Sequence, residues 1–369
     1  MNSTFSQIAS EVLGFIRKPD AALFDALAMN IFRYQYDVIA AYKNYCNQLL
    51  VTPDAVLAPD QIPLVSTIAF KYAELAPADA GRIPGAREFM TSGTTNGADR
   101  RGRHVVARPE VYRASAMAHL GAMLFPDGAG MRMLAMHPTA ERMPESSLSA
   151  MITWCIEEFG SGESRCVADR GRVDTTAAIA FLREASAARE PVCILGTTAA
   201  FAAIFERMTE SRERLKLAPG SRIMDTGGPK GQRVPLSPAE VASRADELLG
   251  VEADLVINEY GMTELCSQLY DATPFNSRYG GEPGARVKLG PPWMRAMAID
   301  PASMRRVPDG TPGMLAFIDL ANLCSVSAIL TEDLGVVEDG CVRVLGRALG
   351  AGARGCALSI ESFQAAARR

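Results

Sequence analysis

The stretch Val192-Cys193-Ile194-Leu195-Gly196 is an uninterrupted apolar run and predicts a buried strand. A helix is predicted directly after it, over residues 199–208, and the same order recurs further along the chain. Strands are predicted over 222–225 and 255–258, with a helix over 238–249 that has proline just inside its start. Strands that alternate with helices favour an α/β fold with largely parallel strands.

The same alternation extends towards the N-terminus. The predicted upstream elements are a helix from 109 to about 124, a strand over 131–136, a helix after 147 and a helix over 175–188. Residues 8–50 are predicted to be helical, because apolar residues recur there at spacings of three and four, and a second helix is expected to open at Pro19-Asp20. The proline-rich residues 51–90 are predicted to be a connecting region with short elements.

The sequence changes character from about residue 282, where glycine and proline separate short strand-like runs such as 314–318 and 341–345. This pattern predicts antiparallel β structure. Thr331-Glu332-Asp333-Leu334-Gly335 lies between two of the runs, and Gly346-Arg347 is followed by a glycine-rich turn. We therefore expect three parts: a helical and connecting part over 1–90, an α/β core over 91–281 and a β-rich part over 282–369.

Composition excludes several classes of function. The chain has 369 residues, with 38 basic and 42 acidic side chains and a net charge of −4, so no electrostatic grip on nucleic acid is expected. No signal peptide and no apolar run of membrane-spanning length is found, and we expect a cytoplasmic protein without membrane contact. The eight cysteines form no C-x-x-C pair, so neither a zinc site nor a disulfide framework is indicated.

A loop rich in hydroxyl groups and glycine, Thr91-Ser92-Gly93-Thr94-Thr95-Asn96-Gly97, precedes the core. Hydroxyls and glycine N–H groups can surround a phosphate chain, and Arg100, Arg101, Arg103 and His104 follow at once. The loop is not a P-loop, because no Gly-Lys-Ser/Thr ends it. The alternative is a simple turn between two elements.

Three further segments follow predicted strands: His137, Thr226-Gly227-Gly228 and Tyr260-Gly261-Met262-Thr263-Glu264. Ligands of α/β folds bind at the carboxyl ends of the strands. We therefore expect these segments to face a ligand. For His137 the alternative is a structural histidine on the surface or in the core.

Three segments in order resemble the adenylate-forming superfamily of acyl-CoA ligases: the Thr91–Gly97 loop, Tyr260–Glu264, and Thr331-Glu332-Asp333 followed by Gly346-Arg347. Each is common alone, whereas the ordered set is rare. The sequence is most similar to one branch, the acyl-protein synthetases of the bacterial luciferase fatty acid reductase complex (LuxE family). The segments that resemble this branch are Ile31-Phe32-Arg33-Tyr34-Gln35-Tyr36, Ser146-Ser147-Leu148, Thr226-Gly227-Gly228-Pro229-Lys230-Gly231 and Arg354-Gly355-Cys356.

The resemblance covers nearly the whole chain and implies both a fold and a reaction. The fold would be a large N-terminal domain of parallel sheets flanked by helices, a small β-rich C-terminal part and a truncated C-terminal domain. The reaction would join a carboxylic acid, by family default a long-chain fatty acid, to ATP. Residues 91–281 would bind ATP and the acid, and residues 282–369 would carry a ribose-binding aspartate and an acyl acceptor.

The resemblance also implies roles for single residues. The phosphates of ATP would be held by the loop residues Thr91, Ser92, Gly93, Thr94, Thr95 and Gly97. The same resemblance implies that Glu264 would bind Mg²⁺ and that Tyr260 would stack on adenine, with Gly261, Met262 and Thr263 beside it. Gly227 and Gly228 would line the adenine pocket. Asp333 would bind the ribose hydroxyls, and Arg347 would reach the ribose or a phosphate. A carboxylate suits both a hard cation and a diol.

Cys356, 13 residues from the end of the sequence, matches the cysteine that takes the acyl group as a thioester in the LuxE branch. Arg354 lies two positions away, and a nearby cation favours the nucleophilic thiolate. The acyl group would then pass to a partner such as an acyl reductase. The alternative is a small apolar cysteine within a strand.

The sequence departs from the superfamily in two respects. Only 36 residues follow Asp333 and none is lysine, so the usual C-terminal lysine is absent; Lys230 or Arg100 and Arg101 would supply charge to the α-phosphate. The phosphate loop also lacks the usual Pro-Lys-Gly end. Two other functions stay open: a ligase that passes the acyl group to a carrier protein, coenzyme A or an amine, and a non-catalytic docking subunit.

Overall fold

The computed structural model describes residues 3–91, 101–227, 236–273 and 286–348. The α-helices in these ranges are α1 (Ser3–Arg17), α2 (Phe24–Val38), α3 (Ala40–Gln48), α4 (Pro109–Leu124), α5 (Ser147–Phe159), α6 (Thr175–Ala188), α7 (Thr198–Glu210) and α8 (Pro238–Leu249). The strands are β1 (Val65–Ser66), β2 (Arg87–Met90), β3 (Arg103–Val106), β4 (Arg132–Met136), β5 (Arg165–Cys166), β6 (Ala168–Asp169), β7 (Arg172–Val173), β8 (Val192–Thr197), β9 (Arg222–Thr226), β10 (Val256–Tyr260), β11 (Leu269–Asp271), β12 (Lys288–Leu289), β13 (Met294–Ile299), β14 (Pro312–Asp319), β15 (Ala328–Glu338) and β16 (Cys341–Arg347). Across these ranges no helix is both long and apolar enough to span a bilayer.

Local signals set the ends of two helices whose bounds were predicted from the sequence. Before α6, the Asp174 side chain accepts a hydrogen bond from the Ala177 amide at 2.9 Å. Before α8, Ser237 and Glu240 form a capping box, and Gly250 ends the helix in the left-handed conformation with φ of 67°. Such caps satisfy backbone groups that the helix itself leaves unpaired. The predicted bounds of both helices are therefore confirmed.

The chain divides into two compact units. The first unit contains Met1–Ala118, Met262–Gln268 and Leu289–Arg369, and the second contains His119–Gly261 and Leu269–Lys288. Each unit contains several strands and many buried side chains. The three-part division expected from the sequence stays a prediction.

The second unit is the parallel α/β part. Strands β5, β4, β8, β9 and β10 lie side by side in parallel, and β11 adds to β10 in the antiparallel direction. Helices α6, α7 and α8 pack against these strands through one apolar cluster, which includes Leu134, Ile194, Ile223, Phe201 and Leu248. The predicted α/β fold with largely parallel strands is thus confirmed.

The first unit is built differently. Strands β13, β14, β15 and β16 form an antiparallel meander, and β1 pairs in parallel with β15. Helices α1, α2 and α3 belong to this unit, as does a hairpin of β2 and β3 in which Met90 lies opposite Arg103. The prediction of antiparallel structure towards the C-terminus is confirmed.

The structure adds detail to three local predictions. The segment 331–335, which lies between the two predicted runs, is itself part of β15, and β15 pairs with β14 and β16 at once. Gly346-Arg347 belongs to β16, where Gly346 has φ of 125° beside a register shift. The second helix begins at Phe24 after a 3₁₀ turn, Ala21–Leu23, which Asp20 caps. In the strands, pairing with distant segments decided the structure over local turn residues.

Candidate functional site

Two residues predicted to bind the nucleotide meet in the first unit. Asp333 of β15 lies directly opposite Arg347 of β16 in the strand register. Arg347 Nε is 3.3 Å from Asp333 Oδ1, and Arg347 Nη1 is 2.7 Å from Glu332 Oε2. The Asp333 amide donates to Thr331 Oγ1 at 3.1 Å, and this hydroxyl donates to the Leu315 carbonyl at 2.8 Å. A partly exposed carboxylate beside a guanidinium is thereby held on a rigid strand.

The segment 262–268 also belongs to the first unit, and it carries Glu264 on a turn. The Leu265 amide donates to the Met262 carbonyl at 3.2 Å. The Thr263 carbonyl oxygen lies 2.5 Å from His104 Nδ1, and the Glu264 carbonyl accepts from Asn322 Nδ2 at 2.9 Å. Glu264 itself is largely buried. The backbone around this carboxylate is thus held by side chains from distant segments.

The structure also bears on whether Glu264 fits a metal ion. Among the described residues, no group of three or more His, Cys, Asp or Glu side chains could hold a metal. Mg²⁺ in nucleotide enzymes is commonly bound by one or two carboxylates together with substrate phosphates. A single carboxylate such as Glu264 therefore fits a Mg²⁺ ion shared with ATP, and not a dedicated protein site.

The base of the predicted phosphate loop is closed by two hydrogen bonds between Thr91 and Gly102. The Thr91 amide donates to the Gly102 carbonyl at 2.9 Å, and the Gly102 amide donates to Thr91 Oγ1 at 2.7 Å. A Cβ at Gly102 would lie 2.9 Å from Thr91 Cγ2, so glycine permits this close approach. Arg101 Nε donates to the Thr91 carbonyl at 2.8 Å.

Several predicted site residues lie outside the described residues. They are Ser92, Gly93, Thr94, Thr95, Gly97, Gly228, Lys230 and Cys356. Their predicted roles stay predictions.

The second unit places a polar cluster at the carboxyl ends of three adjacent parallel strands, β8, β9 and β10. Thr198 Oγ1 donates to Asp225 Oδ1 at 2.8 Å and lies 3.0 Å from the Gly227 carbonyl. Asn258 Nδ2 donates to Asp225 Oδ2 at 2.9 Å, and the Thr226 hydroxyl donates to the Glu259 carboxylate. Gly227 follows directly, exposed and with φ of 91°.

A buried lysine completes this cluster. Lys288 Nζ is 2.9 Å from Asp271 Oδ1, 2.7 Å from Asn258 Oδ1 and 2.9 Å from the Asn258 carbonyl oxygen. Arg286 Nη1 lies 3.0 Å from Asp271 Oδ2. Buried charges require such partners. Tyr260, the predicted adenine-stacking residue, follows Glu259 on β10 and is half-buried.

Burial perturbs the two carboxyl groups of this cluster. Burial raises the pKa of Glu259 to about 7, while the hydrogen bond from Thr226 and the charge of Lys288 act in the opposite direction. Burial also raises the pKa of Asp225 to about 6, against the hydrogen bonds from Thr198 and Asn258. Perturbed carboxyl groups at the ligand-binding end of a parallel sheet are typical of functional sites.

His137 follows β4 in the second unit and is half-buried. Its Nε2 atom is buried and has no hydrogen-bond partner in the part of the chain that the structure describes. Burial lowers the pKa of His137 to about 4, so the ring is neutral near pH 7. A neutral imidazole with an unpaired nitrogen can still form one hydrogen bond to a ligand.

Sequence reasoning missed four residues around these sites. Glu259 and Lys288 have no role in the predicted motifs, and Asn322 lies in no motif at all. His104 was noted only for following the loop in a basic run. For Glu259 a signal existed in the sequence, because it is an acidic residue at the end of an apolar strand and directly precedes Tyr260, which is predicted to face a ligand.

The fold of the chain is that of adenylate-forming enzymes. Solved structures of 2-hydroxyisobutyryl-CoA ligase are similar to this chain. One, in complex with 2-HIB-AMP and CoA in the thioesterification state, has a TM-score of 0.62 and 18% identity, and the match covers 89% of this chain and 69% of that chain. A second, in an open conformation, has a TM-score of 0.59 and 16% identity over 89% and 71% of the two chains.

The sequence matches the family described as "Acyl-protein synthetase, LuxE" over residues 8–364, and the chain belongs to this family. Two relatives are long-chain-fatty-acid–luciferin-component ligases. That of Aliivibrio fischeri is 22% identical over 351 residues, covering 92% of this chain and 88% of the relative. That of Vibrio harveyi is 22% identical over 350 residues, covering 92% and 87%. The predicted family is confirmed, and the chain is an ATP-using ligase.

Proposed function

We propose that this ligase activates a fatty acid with ATP and then carries the acyl group as a thioester on Cys356 for delivery to an acyl reductase. The observation that carries the proposal is the pairing of Asp333 with Arg347 on adjacent strands, in a chain that belongs to the acyl-protein synthetase family. The names of both relatives support a long-chain fatty acid as the substrate.

In the first step, a carboxylate oxygen of the acid attacks the α-phosphorus of ATP. The new bond forms the acyl-adenylate, and pyrophosphate leaves. This step needs no protein nucleophile, because positioning and electrostatic stabilisation are sufficient. Lys230 and Arg101 are proposed to supply positive charge to the phosphates, in place of the lysine that this family lacks. Mg²⁺, bound by Glu264 and phosphate oxygens, would neutralise further charge.

The nucleotide is proposed to be recognised by the residues that the family resemblance assigns to it. Asp333 accepts hydrogen bonds from the two ribose hydroxyls, with its carboxylate oriented by Arg347. Tyr260 stacks on adenine, and Gly227, which carries no side chain, leaves space beside it. The Thr91 loop holds the terminal phosphates. His137 donates one hydrogen bond to the acid, since its neutral ring has an unpaired nitrogen.

In the second step, the Cys356 thiolate attacks the acyl carbonyl carbon. The thioester bond forms, the bond from acyl carbon to phosphate oxygen breaks, and AMP leaves; the thiol proton goes to solvent. Arg354, two positions away in the sequence, favours the thiolate. The thioester then presents the acyl group to the partner enzyme.

Intact-protein mass spectrometry tests this proposal. The protein is incubated with ATP, Mg²⁺ and a panel of carboxylic acids, as the wild type, as Cys356→Ser and as Cys341→Ser. Cys341 is the control, because it is a half-buried cysteine 15 positions earlier in the sequence and burial raises its pKa. We expect a gain of one acyl mass, removable by hydroxylamine, in the wild type and Cys341→Ser and not in Cys356→Ser.

Other outcomes would redirect the assignment. Release of pyrophosphate without any mass gain would place the acyl acceptor on another molecule, such as a carrier protein, coenzyme A or an amine. A mass gain that persists in Cys356→Ser would move the thioester to a different residue. If no acid gives either pyrophosphate release or a mass gain, the docking-subunit function is favoured.

A further inference from the structure

The turn that carries Glu264 has no strand or helix of its own. Residues 261–268 lie between β10 and β11 and take part in no described ladder. A turn without ladder hydrogen bonds is ordinarily among the more mobile parts of a protein. A carboxylate that binds a metal must nevertheless be held in place by its surroundings. The hydrogen bonds that other segments make to this turn therefore decide how well Glu264 is positioned.

His104 holds the first of two successive carbonyl groups in the turn. It lies on β3, is 1% exposed, and its Nδ1 atom is 2.5 Å from the Thr263 carbonyl oxygen. The ring of Phe70 packs against the imidazole edge to face, with ring centroids 5.9 Å apart. Both ring nitrogens face acceptor oxygens, Nδ1 the Thr263 carbonyl and Nε2 the Asn322 side chain. Burial lowers the pKa of His104, whereas these two hydrogen bonds act in the opposite direction.

Asn322 holds the second carbonyl group. Its Nδ2 atom donates to the Glu264 carbonyl at 2.9 Å and to the Val326 carbonyl at 2.9 Å. Two carbonyl acceptors fix the orientation of the amide, because a flip would point its oxygen at both of them. Asn322 Oδ1 then faces His104 Nε2 at 3.0 Å. The carbonyl groups of Thr263 and Glu264 are thus both contacted by buried side chains.

Gln35 of α2 holds the loop from which Asn322 projects. Its Nε2 atom donates to the Asn322 carbonyl at 2.9 Å and lies 3.2 Å from the Leu323 carbonyl. Its Oε1 atom accepts from both the amide and the hydroxyl of Ser327, each at 3.0 Å. Gln35 is 1% exposed and belongs to the aromatic stretch 31–36 that resembles the LuxE branch. Core packing explains the aromatic residues of that stretch, but it does not explain a buried glutamine.

We propose that Gln35, His104 and Asn322 form a positioning network that holds the Glu264 turn in the geometry needed for Mg²⁺ and ATP. The inference rests on the proposed function of Glu264. Asp319 supports the same turn from its other end, since it accepts from the Cys266 amide at 2.8 Å and from the Ser267 hydroxyl at 2.7 Å. None of the three network residues is proposed to touch the substrates.

The first test measures the turn itself in the full chain without nucleotide. Hydrogen–deuterium exchange of a peptide spanning 262–268 is compared in the wild type, His104→Ala, Asn322→Asp and Tyr42→Phe. Tyr42→Phe is the matched control, because it also removes one buried hydrogen bond of the first unit, from the Tyr42 hydroxyl to the Pro63 carbonyl at 2.8 Å. We expect about tenfold faster exchange in the two network variants and no change in this peptide for the control.

The second test measures the metal dependence of pyrophosphate release with ATP and acid. The concentration of Mg²⁺ that gives half-maximal rate should rise about tenfold in His104→Ala, as outer-shell substitutions at metal sites commonly cause. The rate at saturating Mg²⁺ should change much less. His104→Asn, whose side-chain amide can donate to the Thr263 carbonyl, should restore most of the Mg²⁺ affinity. Tyr42→Phe should match the wild type, although it has also lost a buried hydrogen bond.

The outcomes separate this inference from the proposed function. Unchanged exchange of 262–268 in both network variants would overturn the network. Faster exchange with an unchanged Mg²⁺ dependence would overturn its role towards the metal. If Asn322→Asp does not fold, His104→Ala and His104→Asn decide the result. If the wild type releases no pyrophosphate with any acid, the proposed function fails, whereas the exchange experiment still decides whether these residues hold the turn.

Discussion

Replacing Glu259 with glutamine should remove a large part of the pH dependence of stability. Glu259 is 5% exposed and lies beside Thr226 on the neighbouring strand. Its carboxyl group accepts a hydrogen bond from the Thr226 hydroxyl, and burial raises its pKa from 4.5 to about 7. The nearby charge of Asp225 contributes in the same direction, while Lys288 opposes it.

The sign and size of the effect follow from proton linkage. A carboxyl group with a raised pKa binds its proton more tightly in the folded state than in the unfolded chain. Its stabilising contribution is therefore complete below pH 4.5 and is lost as the pH rises through about 7. A shift of this size corresponds to about 3 kcal/mol in total, of which about 2 kcal/mol is lost between pH 5 and pH 8.

Urea unfolding followed by circular dichroism at pH 5, 6, 7 and 8 measures this contribution. Glutamine keeps the shape of the protonated side chain and can still accept from Thr226, so Glu259→Gln should lose about 2 kcal/mol less stability than the wild type over this range. Glu240→Gln is the control, since Glu240 is exposed and hydrogen bonds from Ser237 lower its pKa, which places its titration below this range. Parallel pH profiles for Glu259→Gln and the wild type would refute the reasoning.

Two further predictions concern residues that the structure pairs. Lys288→Met should lower the free energy of unfolding by about 3 kcal/mol at pH 7, measured by urea unfolding. The substitution removes the buried cation beside Asn258 and Asp271, although Asp271 keeps its ion pair with Arg286. A loss below about 1 kcal/mol would contradict the buried pairing. Asp333→Asn should raise the KM for ATP in pyrophosphate release about tenfold, because a neutral amide weakens the hydrogen bonds proposed to the ribose hydroxyls. The melting temperature should change little, because the ion pair with Arg347 is partly exposed and such pairs contribute little stability. An unchanged KM would remove Asp333 from the nucleotide site.

In each unit, buried polar clusters hold the backbone next to residues that are predicted to bind a ligand. In the second unit, the network of Asp225, Asn258 and Lys288 fixes the ends of adjacent strands just before Gly227 and Tyr260. In the first unit, His104 and Asn322 hold the backbone around Glu264. The motif residues are thus presented by buried polar partners that lie outside the motifs.

Local sequence predicted those elements whose ends are encoded locally. Helices α6 and α8 were predicted at their observed bounds, because caps such as Ser237 act within one turn of the chain. Strands β4, β8 and β9 were also predicted, and β8 was recognised as an uninterrupted apolar run, since a strand covered on both faces needs little alternation. The order of the motifs along the chain was also sufficient to identify the family.

Pairing between distant segments could not be read in this way. The polar segment 331–335 became part of β15 because it pairs with two strands at once, and this pairing brought Arg347 opposite Asp333. No local pattern predicts that partner, because strand register depends on residues far apart in the sequence.

What the sequence by itself determined, then, is the α/β class, the main helices and strands, and the family with its ordered motifs. These follow from periodicity, capping and residue spacing, which act over a few residues. Only the tertiary structure decided that His104 and Asn322 meet the Glu264 turn and that Lys288 is buried among acidic and amide groups. The physical reason is that a buried polar side chain must find its partners wherever the fold brings them, and nothing in its local sequence names those partners.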